Sequence, residues 1–142
     1  MIQFVRKIST VMKARNPNFL IIAQNAEFLL PDDDYRAAID GIGKEDILYR
    51  NEKVDRTNRY EDGIANDEDT IKETLGLVDK LKVENKAIMA VEYLTDGDAI
   101  ASAAERLLGK GYLFYVGPRD LARLAVPVEI ATKTKDDTDN GN

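Results

Sequence analysis

KAIMAVEYLTDGDAIASAAERLLGKGYLFYVGP, residues 86–118, reads as one strand–helix–strand unit. Residues 86–91 form a short apolar run of the kind a strand covered on both faces of a parallel sheet requires. Thr95 with Asp98 three residues on has the spacing of a capping box. Ile100, Ala104, Leu107 and Leu108 recur at helical spacing, and Gly109 and Gly111 supply a stop. Residues 112–116, apolar and aromatic, then make a second strand. A strand that returns to its own sheet through a helix is a parallel pair with a right-handed crossover.

The pattern repeats toward the N-terminus. Asn66 is placed to cap a helix whose acids crowd the first turn and whose Ile71, Leu75, Val78 and Leu81 lie on one face. Residues 37–42 predict a weaker strand, and residues 19–23 predict another that is buried on both sides. Residues 28–30 make a short amphipathic piece, broken by Pro31 and the acidic turn Asp32-Asp33-Asp34. Val5, Ile8, Val11 and Met12 share a helical face, and Asn16-Pro17 ends that helix because proline disfavours the helical conformation in the residue before it. Residues 50–65 are charged and aperiodic and predict a long loop. Pro118 starts a last short helix to residue 124. The order is a helix followed by four strands alternating with helices. This makes the chain an α/β protein of parallel βα units, with a domain over residues 1–127 and a disordered tail over 128–142.

Composition narrows the chemistry. Twenty Lys and Arg against 26 Asp and Glu leave a net charge of −6 and no dense run of Lys and Arg, which argues against nucleic acid as a partner. The early apolar run is too short for a membrane span or a signal-peptide core, so neither is expected, and the compartment is left open. Cys and His are both absent, so thiol and imidazole chemistry and the usual zinc sites are excluded. Catalysis must then use carboxylates, Tyr, Lys or an oxygen-ligated ion, and no cofactor or metal-ligating residue is assigned.

Parallel α/β folds bind ligands at the carboxyl ends of their strands. The residues there are Gln24 and Asn25, Lys44 to Asp46, Glu92 with Tyr93, and Tyr115 with Arg119. Gly41-Ile42-Gly43-Lys44 is not a phosphate loop, since the spacing is wrong and Glu45 stands where Ser or Thr is needed.

These segments resemble the endo-α-1,4-polygalactosaminidase family, glycoside hydrolase family 114, and related barrel proteins. The likeness is carried by IIAQNAEFLL, AAIDGIGKEDILY, AIMAVEYL and GYLFYVGPRDLARL, over roughly residues 4–124. Their order is that of strands five to eight, so the resemblance implies the C-terminal half of a TIM (β/α)8-type barrel, whose full length is ~250 residues. It further implies a carbohydrate substrate, an α-linked amino-sugar polymer, and a secreted family. Glu45 takes the acid/base position, with a pKa expected to be raised at the barrel mouth. Gln24, Asn25, Asp46, Glu92, Tyr93, Tyr115 and Arg119 would line the sugar subsites, the tyrosines by stacking, and an ion pair is the other reading of Arg119. The aspartate expected after the fourth strand, the second catalytic carboxylate, is not in this chain. A half barrel exposes two strand edges and an apolar face, which calls for a fragment of a longer protein, the first of the readings, for pairing with a complementary half-barrel, or for self-association. The alternative function is a noncatalytic carbohydrate-binding or interaction module.

Overall fold

A computed structural model describes residues 1–54 and 60–119. The expected tail and all but the first two residues of the expected final helix lie outside them. The elements are α1 (Ile2–Arg15), β1 (Ile22–Gln24), a 3-10 turn (Glu27–Leu29), α2 (Asp33–Ala38), β2 (Gly41–Glu45), β3 (Tyr49–Lys53), β4 (Tyr60–Ala65), α3 (Glu68–Val83), β5 (Ala87–Glu92), α4 (Gly97–Gly109) and β6 (Leu113–Val116).

Four strands form one parallel sheet in the order β1-β2-β5-β6, so each crossover moves one strand over in the same direction. Right-handed crossovers that never reverse direction put every helix on one face, as in a barrel wall and unlike a doubly wound sheet. The helix-covered face carries Ile42, Ile88, Ala90 and Val116, packed with Ile71, Val78, Leu81, Ala103 and Leu107. The four residues expected on the α3 face are all buried. The opposite face carries Ile22, Gln24, Gly41, Gly43, Glu45, Met89, Val91, Leu113 and Tyr115, and among the described residues no helix covers it.

Several boundaries differ from the sequence reading. Ala37 and Ala38 belong to α2 and not to a strand, because Asp32 accepts a hydrogen bond from the Tyr35 amide and starts a helix where an acidic turn was expected. The second strand is therefore Gly41–Glu45. The first strand is only Ile22–Gln24, and it is half exposed because among the described residues no further strand lies beside it. Residues 50–65 are not a loop throughout: β3 and β4 pair as an antiparallel hairpin with a bulge between Arg50 and Glu52. Asp67 and Asp96, not Asn66 and Thr95, cap α3 and α4. Asn66 instead donates to the carbonyls of Asp46 and Ile47, tying the hairpin to the end of β2. On α1, Ile2 and Val5 pack on the core, while Ile8 and Val11 are exposed beside Phe4, which is 64% exposed.

β2 and β5 approach so closely that a Cβ on Gly41 would lie 2.6 Å from the Ala87 carbonyl oxygen. Backbone cannot yield as a side-chain tip can. Gly41→Ala should therefore destabilise the fold by about 1–3 kcal/mol. Gly76→Ala, in α3 with open space around it, should stabilise by about 0.5–1 kcal/mol. Urea unfolding of the two variants checks both signs.

Candidate active site

Glu45 ends β2 on the uncovered face, two residues past the Gly43 that pairs with Gln24 of β1, and in register with Val91 of β5 and Tyr115 beyond it. Asn25 grips it twice. The Asn25 Oδ1 accepts the Glu45 backbone N–H at 2.9 Å, and its Nδ2 donates to Glu45 Oε2 at 2.7 Å. The grip requires Asn25 to leave the strand sharply, with φ at +46°, a left-handed conformation that Asn tolerates better than most residues. Asp46 makes the same departure after β2, with φ at +56°. Non-glycine residues held there cost about 1–3 kcal/mol each and cluster at functional sites.

The other carboxylate oxygen of Glu45 accepts a 2.6 Å hydrogen bond from the Tyr93 hydroxyl. Both oxygens thus have donors that favour the ionised form. The Tyr93 hydrogen bond, followed by that from Asn25 and the charges of Arg119 and Lys44, outweighs partial burial and holds the Glu45 pKa below its ordinary value. The raised pKa expected from the sequence is thereby corrected: in this half-barrel the mouth is open and its hydrogen-bond donors dominate. The Tyr93 hydroxyl is pushed up to about 12 by burial and by its bond to Glu45, so it remains a donor.

Arg119 closes the cluster from above. Its guanidinium sits 4.1 Å from the Tyr93 ring centroid, bonds Asp46 at 2.9 and 3.3 Å, and bonds Asp62 of the hairpin at 2.5 Å. One face of Tyr93 is therefore occupied by a cation and is closed to a sugar ring. Lys44 points to the helix-covered side, donating to the Glu45 carbonyl at 2.7 Å and lying 3.3 Å from Glu27. Glu27 is a buried acid not singled out in the sequence, and one of its oxygens has no partner among the described residues. Asp62 was also missed, because its segment reads as a loop.

The remaining expected residues do not join this network. Gln24 lies on the same face, its amide over Gly43, where a Cβ would collide with it. Tyr115 is two strands away with its hydroxyl leaning over Gly117. Glu92 is fully buried on the opposite side of the sheet, where it accepts the Leu48 and Tyr49 amides at 2.7 and 3.2 Å. It supports the β2–β3 connection and cannot touch a ligand at the mouth. Among the described residues no cluster of three or more acids is placed to hold a metal ion.

No family model matches the chain. It is 32% identical over 124 residues to an uncharacterized protein of Deinococcus radiodurans, 31% over 132 to one of Methanocaldococcus jannaschii, and 30% over 110 to one of Thermotoga maritima. Those matches cover 87, 84 and 76% of this chain but only 37, 35 and 31% of the relatives. The glycoside hydrolase domain of PelA from Pseudomonas aeruginosa superposes with a TM-score of 0.63 at 19% identity, over 88% of this chain and 47% of that domain. A point variant of the same domain gives 0.62 at 18%. At such identities the likeness shows the fold alone: the chain spans about half the length of that α/β domain.

Burial pushes the Glu92 carboxyl from its ordinary 4.5 to about 7, against the opposing effect of the two amides it accepts. A pKa raised in the folded state favours folding below the unfolded value and loses that contribution as pH rises through the folded one. Stability should fall by about 2–4 kcal/mol between pH 4.5 and 7. Glu92→Gln should flatten this slope in denaturant titrations run across that window.

Proposed function

We propose that the chain carries half of a glycosidase site acting on an α-linked amino-sugar polymer, with Glu45 as its proton-handling carboxyl and the remaining wall supplied by a second half-barrel. The observation that carries the reading is the Asn25–Glu45–Tyr93 triad at the carboxyl end of β2, on the face that points into a barrel. Resemblance to a polygalactosaminidase family and the fold shared with the PelA domain point the same way. Gln24 and Tyr115, on the same face, would contact the sugar chain at either side of Glu45.

The chemistry follows from the charge on Glu45. Ionised, it can accept a proton from a sugar hydroxyl or water, or stabilise the positive charge that develops at the anomeric carbon. To protonate the leaving oxygen it must first hold a proton itself. A second carboxylate across an enclosed mouth would supply both effects that raise a pKa, like charge and desolvation. Within this half, Asp46 and Asp62 are both engaged by Arg119, so neither is offered to Glu45 as that partner. Arg119 then acts as a brace that fixes the β2 end and the hairpin around the triad.

The same two facts, an ionised Glu45 and acids already paired with Arg119, favour a second reading. A noncatalytic site would hold sugar hydroxyls with the triad and cleave nothing.

Reducing-end release from α-1,4-linked polygalactosamine by the purified chain, beside Glu45→Gln, separates the readings. A glycosidase should lose at least ~100-fold of its turnover in the variant. Equal turnover in both would remove Glu45 from the chemistry. Polymer binding without turnover, largely retained in Glu45→Gln, would establish the binding module.

A further inference from the structure

The uncovered face and its two free edges are continuous. Among the described residues β1 pairs only with β2 and β6 only with β5, so each outer strand has a row of backbone amides and carbonyls without sheet partners there. On that face Leu113 is 61% and Ile22 41% exposed. Beside β1 an open apolar trough of about 490 Å³ runs between α1 and the 3-10 turn, lined by Val5, Ile8, Ile22 and Phe28 among others. Burying both edges and this surface in one step requires an object shaped like the missing half of a barrel.

The two edges are opposite in charge. α1, which flanks β1, carries Arg6, Lys7, Lys13 and Arg15 and no acid. Arg6 and Lys13 pair with Asp34 and Asp40, while Lys7 and Arg15 have no ion-pair partner among the described residues. α4, which flanks β6, exposes Asp98 and Glu105, and its Arg106 is taken by Glu68. One edge of the chain is thus complementary to its own other edge.

We infer that the occupant is a second copy of this chain, related by a two-fold axis along the barrel axis, with β6 of each copy beside β1 of the other. Rotation about that axis keeps all strands parallel, so both joins can form ladders. Four parallel strands and four helices per copy complete eight of each. Both edges are consumed, and the assembly closes at two copies. α1 then lies over the join next to the partner's α4, placing the basic edge against the acidic one. β2 of the two copies stand four strands apart, so the two Glu45 carboxyls face each other across the mouth. That pair supplies a second carboxylate from this sequence alone. The catalytic consequence rests on the glycosidase reading above, whereas the closure rests only on the sheet edges and their charges.

Sedimentation of the purified chain at tens of micromolar tests this. The expected mass is twice the 15.9 kDa of one chain. Leu113→Asp and Ile22→Lys, each already exposed in one copy, should give folded monomers by circular dichroism. Lys7→Glu with Arg15→Glu should weaken the dimer at least tenfold, and so should high salt. A monomeric native chain, larger open-ended assemblies, or a dimer indifferent to Leu113→Asp would each overturn the inference. A dimer without hydrolysis would sink the glycosidase reading and leave the closure standing. Hydrolysis by a monomer would do the reverse.

Discussion

Each crossover in the sheet carries the chain one strand further in the same direction, and nearly everything else follows from that constraint. Right-handed connections that never change direction confine the helices to one side. Ile42, Ile88, Ala90 and Val116 are thereby committed to a helix-facing core, and the residues that alternate with them along each strand to a face that the described residues leave bare. The close approach of β2 and β5 at Gly41 belongs to the same arrangement, since a side chain there would force the two central strands apart. The site sits where this wall ends, at the carboxyl lip of β2.

Two glutamates at neighbouring strand ends show how strongly strand parity governs chemistry. Glu45 pairs in register with Val91, one residue short of Glu92, so the two acids lie on opposite sides of the same sheet. On the open side, Tyr93 and Asn25 supply hydrogen bonds that exceed the modest loss of water, and Glu45 stays charged. On the helix side, two backbone amides do not offset complete burial, and the Glu92 carboxyl is pushed up to about 7. The same functional group becomes an anion on the open face in one place and a structural anchor in the other.

The sequence made the repeating architecture legible because burial imposes strong periodicity: Ile71, Leu75, Val78 and Leu81 announce α3, and residues 86–91 nearly coincide with β5. Local hydrogen bonding was harder to read. Asn66 and Asp67 are both acceptable caps, and only the tertiary position of Asn66, bonded to the end of β2, assigns the role to Asp67. The β3–β4 hairpin has charged residues on a largely exposed surface, so no hydrophobic alternation betrays it. Within the site, Glu45, Asn25 and Tyr93 could be found because they follow apolar runs. Asp62 could not, because it reaches Arg119 across 57 residues of sequence. Glu92 also follows an apolar run, but position along the strand does not reveal which face the last residue takes.

The distribution of side-chain size across the bare face gives it direction. β2 offers only Gly41 and Gly43 ahead of Glu45, and the Gln24 amide lies over the second of them. The other strands carry the bulk, with Ile22 and Gln24 on β1, Met89 and Val91 on β5, and Leu113 and Tyr115 on β6. A flat, solvated surface gains nothing from such a gradient, whereas a barrel interior is filled by layers in which large residues on some strands occupy the space left by small ones on others. Small residues at β2 leave depth in front of Glu45, and large ones at the edges fill the axis only if another wall stands opposite. The open sheet is therefore shaped as an interior, and under the proposed reading the Glu45 carboxyl, beside the glycine-lined hollow, would gain its enclosure when that interior is closed.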